Sequence, residues 1–188
     1  MIDLLLEQIE TQINGYLRLR GIPAIYKCAL GDISVHDKTV EAGSEDEIME
    51  SIIISMVSVE EEQALKNNYP LRQTGSSFLK EKSAIFINVY ILFAAKYASY
   101  DTALKAISNI IYFFQSHKRI SFTADDQAQE AVLNLHNIGF ENLNNLWTVL
   151  GGRYLPSVMY KARLLMYQAA PPAGGSVILE IEETESLS

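Results

Sequence analysis

Residues 141–168, ENLNNLWTVLGGRYLPSVMYKARLLMYQ, place a short helix, a glycine break and a strand in immediate succession. Leu143, Leu146, Trp147 and Leu150 recur at i, i+3, i+4 and i+7, the spacing of one helix face. Gly151-Gly152 ends that helix, because glycine enters the left-handed cap conformation without a steric penalty. Pro156 forbids a return to helix and holds Leu155 extended. From Val158 the period falls to two. Val158, Tyr160, Ala162, Leu164 and Met166 share one face, and Ser157, Lys161 and Arg163 lie on the other. The single tryptophan, Trp147, lies on the apolar helix face and is expected to dock the helix onto a sheet.

Working outward, residues 83–97 give the strongest strand pattern in the chain. Ile85, Ile87, Val89, Ile91, Phe93, Ala95 and Tyr97 make one apolar face, and the alternate face is mixed. Such a strand belongs in the middle of a sheet. Its length suggests an edge reaching past the domain body. Residues 51–59 (SIIISMVSV) read as a second strand, residues 119–123 as a short one and residues 129–136 as a half-buried one. Residues 24–34 alternate weakly and read as a further strand. A first helix is expected over residues 2–18, on the stripe Ile2, Leu5, Leu6, Ile9, Ile13, Tyr16 and Leu17. Another follows Asp101 as N-cap, with Leu104, Ile107, Ile111 and Phe114 as its stripe, widened by Ala103, Ile110 and Phe113. Residues 60–68 run from acidic to basic and suit a helical turn, and residues 36–47 and 69–82 read as exposed loops. Ala-Ala-Pro-Pro-Ala-Gly-Gly from residue 169 breaks every pattern, so the domain is expected to span 1–168, with a linker and acidic tail over 169–188. The fold class expected is α+β: one mostly antiparallel, twisted sheet of five or six strands with two to three helices packed on one face.

A chain of 188 residues can bury one real core, and its apolar fraction of 48% is ordinary for a globular domain. The net charge of −8 argues against nucleic acid and anionic membranes, both of which attract clustered Lys and Arg. The amphipathic start, Met-Ile-Asp with Glu7 and Glu10, lacks the basic-then-apolar order of a secretory signal. The longest apolar run, residues 85–95, is broken by Asn88 and too short to span a bilayer as a helix. A lone Cys28 forms no internal disulfide and makes a reducing compartment the default. Folding in the cytoplasm is therefore expected.

The chain offers little chemistry. His36, His117 and His136 have no metal-ligand spacing with each other or with Cys28, so no metal is expected. Gly151-Gly152 and Gly174-Gly175 lack the spacing and context of a phosphate loop. Ser77-Phe78-Leu79-Lys80 matches the Ser-x-x-Lys pair of serine β-lactamases, but the companion motifs are absent. Glu60-Glu61-Glu62 reads as a solvated acidic run before it reads as a cation site. No catalytic centre and no cofactor are expected. Ten tyrosines, Tyr90 and Tyr167 among them, are more than a single core needs, and tyrosine is enriched where proteins meet.

LNNLWTVLGGRYLPSVMYKARLL at 143–165 resembles the C-terminal signature of the tail-terminator (cap) proteins of phage-tail-like contractile injection systems, a family long known only as a domain of unknown function. Three further segments agree in the same order: VSVEEEQALKNN at 57–68, INVYILFAAKY at 87–97 and YDTALKAISNIIYFFQ at 100–115. Trp147, Gly151, Gly152, Pro156 and Ser157 match the family pattern and read physically as fold-makers. The resemblance implies a structural protein of a toxin-delivering particle, not an enzyme. It implies a homo-hexameric ring at the end distal to the baseplate, where it stops growth of inner tube and sheath by binding their last layer. It implies assembly in the cytoplasm, then residence in a released or envelope-associated particle, with no nucleic-acid partner and no direct membrane insertion. Strand addition at an exposed sheet edge is the contact mode it suggests. The alternative is a baseplate or tube-initiator component of the same kind of particle.

Overall fold

The computed structural model describes residues 1–33, 50–62, 71–74, 77–80, 85–124, 126–151 and 154–166. The expected linker and acidic tail, 169–188, and the expected loop at 36–47 lie outside these residues.

The most apolar strand takes the interior of the sheet. Residues Ile85–Lys96 form β5, which pairs antiparallel with β2 (Ser51–Glu61) on one side and with β8 (Ser157–Met166) on the other. Outside β8 lies β7 (Gln127–Leu135), then β6 (Arg119–Ala124); outside β2 lies β1 (Cys28–Leu30). The six-stranded order is therefore β1-β2-β5-β8-β7-β6. All pairs are antiparallel except β1 with β2. The long strand is paired along its length on both sides, so it supplies no free edge. The edge suggested by its length is corrected: the extra residues match equally long neighbours. A register shift between Met56 and Ser58 accommodates one extra residue in β2 as a bulge.

Several local expectations change. Among the described residues of this stretch, 24–33, Cys28–Leu30 is the strand; Ala24–Tyr26 is a 3-10 turn, tied down where the Tyr97 hydroxyl donates to the Ile25 carbonyl at 2.8 Å. Glu60 and Glu61 continue β2 and do not open a helical turn, because cross-strand pairing with Asn88 and Ile87 outweighs a weak charge pattern. Residues 63–68 lie outside the described ones. The stretch read as the loop 69–82 holds a hairpin, β3 (Leu71–Thr74) with β4 (Ser77–Lys80), forming a sheet of its own. Residues 75–76, between the two strands, lie outside the described ones.

Among the described residues, three helices cover the sheet. Helix α1 (Ile2–Leu19) buries Leu5, Ile9, Ile13 and Leu17, the stripe its spacing predicts. Helix α2 (Tyr100–Ser116) is capped by Ser99, whose hydroxyl accepts from the Thr102 amide; Asp101 sits in the first turn and pairs with Lys105 at 2.5 Å. Its buried face is Ala103, Ala106, Ile110, Phe113 and Phe114, while Leu104 is 44% exposed. The small alanines let the helix approach the sheet, which rotates the buried face away from the larger Leu104. Both helices pack on one face, over Ile52, Val89, Ile91, Phe93, Leu133, Tyr160 and Ala162. Helix α3 (Phe140–Val149) covers part of the opposite face, over Ile53, Leu92, Ala94 and Met159. The fold is thus α+β with two helices on one face and the third on the other.

The sheet is curled, and α1 touches both of its edge strands, β1 and β6. A helix of 18 residues is about 27 Å long, and six strands span about 24 Å, so α1 can reach from edge to edge.

Candidate assembly surface

Of the residues singled out from the sequence, those described lie at the end of α3 and the start of β8, on the side of the sheet that α3 covers. Trp147 is 4% exposed and packs with Ile53, Leu92 and Met159. The Tyr154 ring meets it edge-on at 5.7 Å. Gly151 has φ +112°, a conformation that strains any residue with a Cβ. The Pro156 carbonyl accepts from the Ala95 amide at 2.9 Å, and Ser157 pairs with Ala94 at the start of β8. Gly152 lies outside the described residues. This corner turns the chain from helix into strand and seats α3. Around it, Phe140 is 90% and Val149 83% exposed, and Tyr154 and Leu135 are also open. Large apolar side chains at this exposure are the anchors that protein contacts use.

Beyond α3 the same face carries charge. The register sets Glu60 opposite Asn88 and Asn88 opposite Arg163, and sets Tyr90 opposite Lys161 and Lys161 opposite Asn134. The Tyr90 hydroxyl donates to Glu60 at 2.9 Å, and the Asn88 amide donates to Glu62 at 3.0 Å. Arg163 stands 3.6 Å from Glu62, and Arg119 pairs with Glu130 at 2.8 Å. Burial, and then the Glu60 carboxylate holding its proton, push the Tyr90 hydroxyl above its ordinary range. His136 meets the Tyr90 ring edge-on at 4.9 Å. The result is a lane of alternating sign across five strands. Sequence reading saw these residues as the polar sides of separate strands; only the register joins them.

The sheet edges differ from a bare strand. The Asn14 side chain of α1 accepts from the Cys28 amide at 2.8 Å and donates to the Cys28 carbonyl at 3.0 Å. One side-chain amide thus takes the place of a neighbouring strand at the outer rim of β1. The sequence signal was weak: one amide on the polar flank of an amphipathic helix.

No catalytic arrangement emerges among the described residues. No three His, Cys, Asp or Glu side chains converge as metal ligands. The His117 ring stacks on Phe113 at 4.7 Å and lies 3.1 Å from the Phe113 carbonyl, a helix-end role. Burial raises the Cys28 thiol well above its usual range and so disfavours the thiolate. Ser77 and Lys80 fall in β4, where residues alternate faces, and are not the one-turn neighbours they would be on a helix. No described helix is long and apolar enough to cross a membrane.

This curled α+β fold resembles that of solved terminator caps of contractile injection systems. The cap of the anti-feeding prophage, a tube-terminating cap solved by cryo-electron microscopy, superposes with TM-score 0.53 at 13% identity, over 75% of this chain and 51% of that one. The sheath/tube terminator of PVC, an extracellular contractile injection system in its extended state, superposes with TM-score 0.57 at 15% identity, over 97% of this chain and 65% of that one. This chain therefore spans about half to two-thirds of the length of those caps. Among curated proteins no sequence relative matches. The chain belongs to the Pvc16 N-terminal domain family, whose model matches residues 5–180.

Proposed function

We propose that this domain is a structural cap, the tail terminator of a contractile injection system, ending inner-tube and sheath growth at the end distal to the baseplate. The observation that carries the reading is the shared fold with a sheath/tube terminator over 97% of this chain. The outer face supports it: exposed anchors beside a lane of paired charges suit docking on another protein. A helical tube recreates the same binding site with every layer, so growth has no intrinsic end. A ring that occupies that site and turns a different surface outward ends it.

The cap is a homo-hexameric ring and a binding protein, not an enzyme. Its partners are itself, the sheath and the inner tube; it engages neither nucleic acid nor membrane, and it assembles in the cytoplasm before joining the particle. The outer face of the sheet, more than a sheet edge, is the contact surface, because Asn14 occupies the rim of β1 and α1 lies against both edge strands. Deleting the gene is expected to leave sheath and tube protein levels normal while particles become irregular in length and lack the cap density in electron micrographs. Uniform, capped particles in the deletion strain would refute the terminator role. Defective baseplates with no assembled tails would favour the initiator alternative.

A further inference from the structure

Trp147 is buried, yet its indole N–H has no hydrogen-bond partner among the described residues. A buried tryptophan usually finds an acceptor for this group. Its surroundings offer none. It packs among Ile53, Leu92, Ala94 and Met159, with Leu143 and Leu150 partly buried beside them. A buried water needs two or more polar partners, and an apolar shell does not supply them. The fold therefore leaves this donor unpaired, which is a standing cost.

On one side the indole lies close to the surface. The Tyr154 ring that meets it edge-on is more than half exposed. Val149, two residues after Trp147, is almost fully exposed at the end of α3. Phe140, also almost fully exposed, precedes Trp147 by seven residues, close to two turns along the same angular face of the helix. These side chains and the unpaired donor make a surface that a protein contact completes. The anchors gain burial, and the donor gains its acceptor.

The surroundings also select the acceptor. Glu141 is exposed beside Phe140, and the whole chain carries a net charge of −8. Like charge repels a carboxylate here, so a neutral main-chain carbonyl on an apolar segment is the acceptor that fits.

We propose that Trp147 is a docking residue of the outer face. When the chain seats on the last layer of the tail, Tyr154 shifts, Phe140 and Val149 are buried, and a main-chain carbonyl of an apolar segment in that layer accepts from Trp147 Nε1. The inference rests on the terminator reading and assigns the contact to the α3 corner of the outer face, in place of the charged lane.

The test mixes the purified full chain with uncapped tails from the deletion strain and measures co-sedimentation across a concentration series. The parent chain is expected to bind saturably. Phe140→Asp and Val149→Lys should each weaken binding at least about tenfold. Their melting transitions should not change, because both side chains are already in water and each new charge suits its end of the helix dipole. Trp147→Phe keeps a ring and removes the donor, and should weaken binding about tenfold. Leu19→Lys, at an equally exposed leucine that ends α1, should bind like the parent. Parent-like binding by Trp147→Phe, or by both Phe140→Asp and Val149→Lys, would overturn the proposal and leave the terminator reading standing. So would an equal loss in Leu19→Lys. Failure of the parent chain to bind uncapped tails would overturn the terminator reading and the proposal with it.

Discussion

Trp147 shows how much one side chain carries. Its ring joins α3 to Ile53, Leu92 and Met159, and α3 has no other fully buried residue. Trp147→Ala is expected to cost about 3–5 kcal/mol, the range for a large aromatic removed from a core. Chemical denaturation read by circular dichroism checks this; an unchanged midpoint would mean that α3 does not depend on its anchor. The indole N–H is buried and has no hydrogen-bond partner among the described residues. Trp147→Phe removes that N–H and keeps an aromatic ring, so it should cost less than the alanine change. Asn14 is the second such residue. Asn14→Ala leaves the Cys28 amide and carbonyl without their bonds and is expected to destabilise by about 1–3 kcal/mol. If Asn14→Ala melts like the parent chain, water serves the rim of β1 equally well.

Among the elements, position in the sheet sets local stability. β5 and β8 have a strand on each side, and β5 buries Val89, Ile91, Leu92, Phe93, Ala94 and Ala95. β1 is a three-residue edge strand held by β2 and one asparagine. Among the described residues the β3–β4 hairpin has no third strand, and an isolated two-stranded hairpin is marginal in water. Amide hydrogen exchange should therefore be slowest in β5 and β8, faster in β1 and β6, and fastest in β3–β4. Slow exchange in β3–β4 of the purified chain would show that something else pairs with it.

Across the whole molecule, the domain is expected to end at residue 168. Cutting the chain after Gln168 should leave the melting transition intact and weaken assembly, read by light scattering. Loss of the folded state on truncation would move the boundary into the following residues. The family model runs to residue 180, so the experiment separates a structural role for 169–180 from a role in assembly.

The sequence by itself determined the elements that rest on short-range periodicity. The α1 stripe, the helix–glycine–strand turn at 141–168, the long central strand and the α+β class all follow from spacing, because period 3.6 and period 2 sort residues onto faces without reference to the rest of the chain. The same residues carried the family resemblance. Tertiary structure alone decided what depends on which strands meet. The β5 length that suggested an edge is an interior strand, since an apolar run reads alike whether its backbone pairs with one neighbour or two. The rotation of α2 was set by Ala103 and Ala106 approaching the sheet, a close fit that hydrophobicity does not rank. The charged lane from Glu60 to Arg163 exists only because register brings residues about a hundred positions apart to adjacent places. Local pattern is written along the chain, whereas a surface is made by contacts between distant segments, and only the folded chain selects which contacts form.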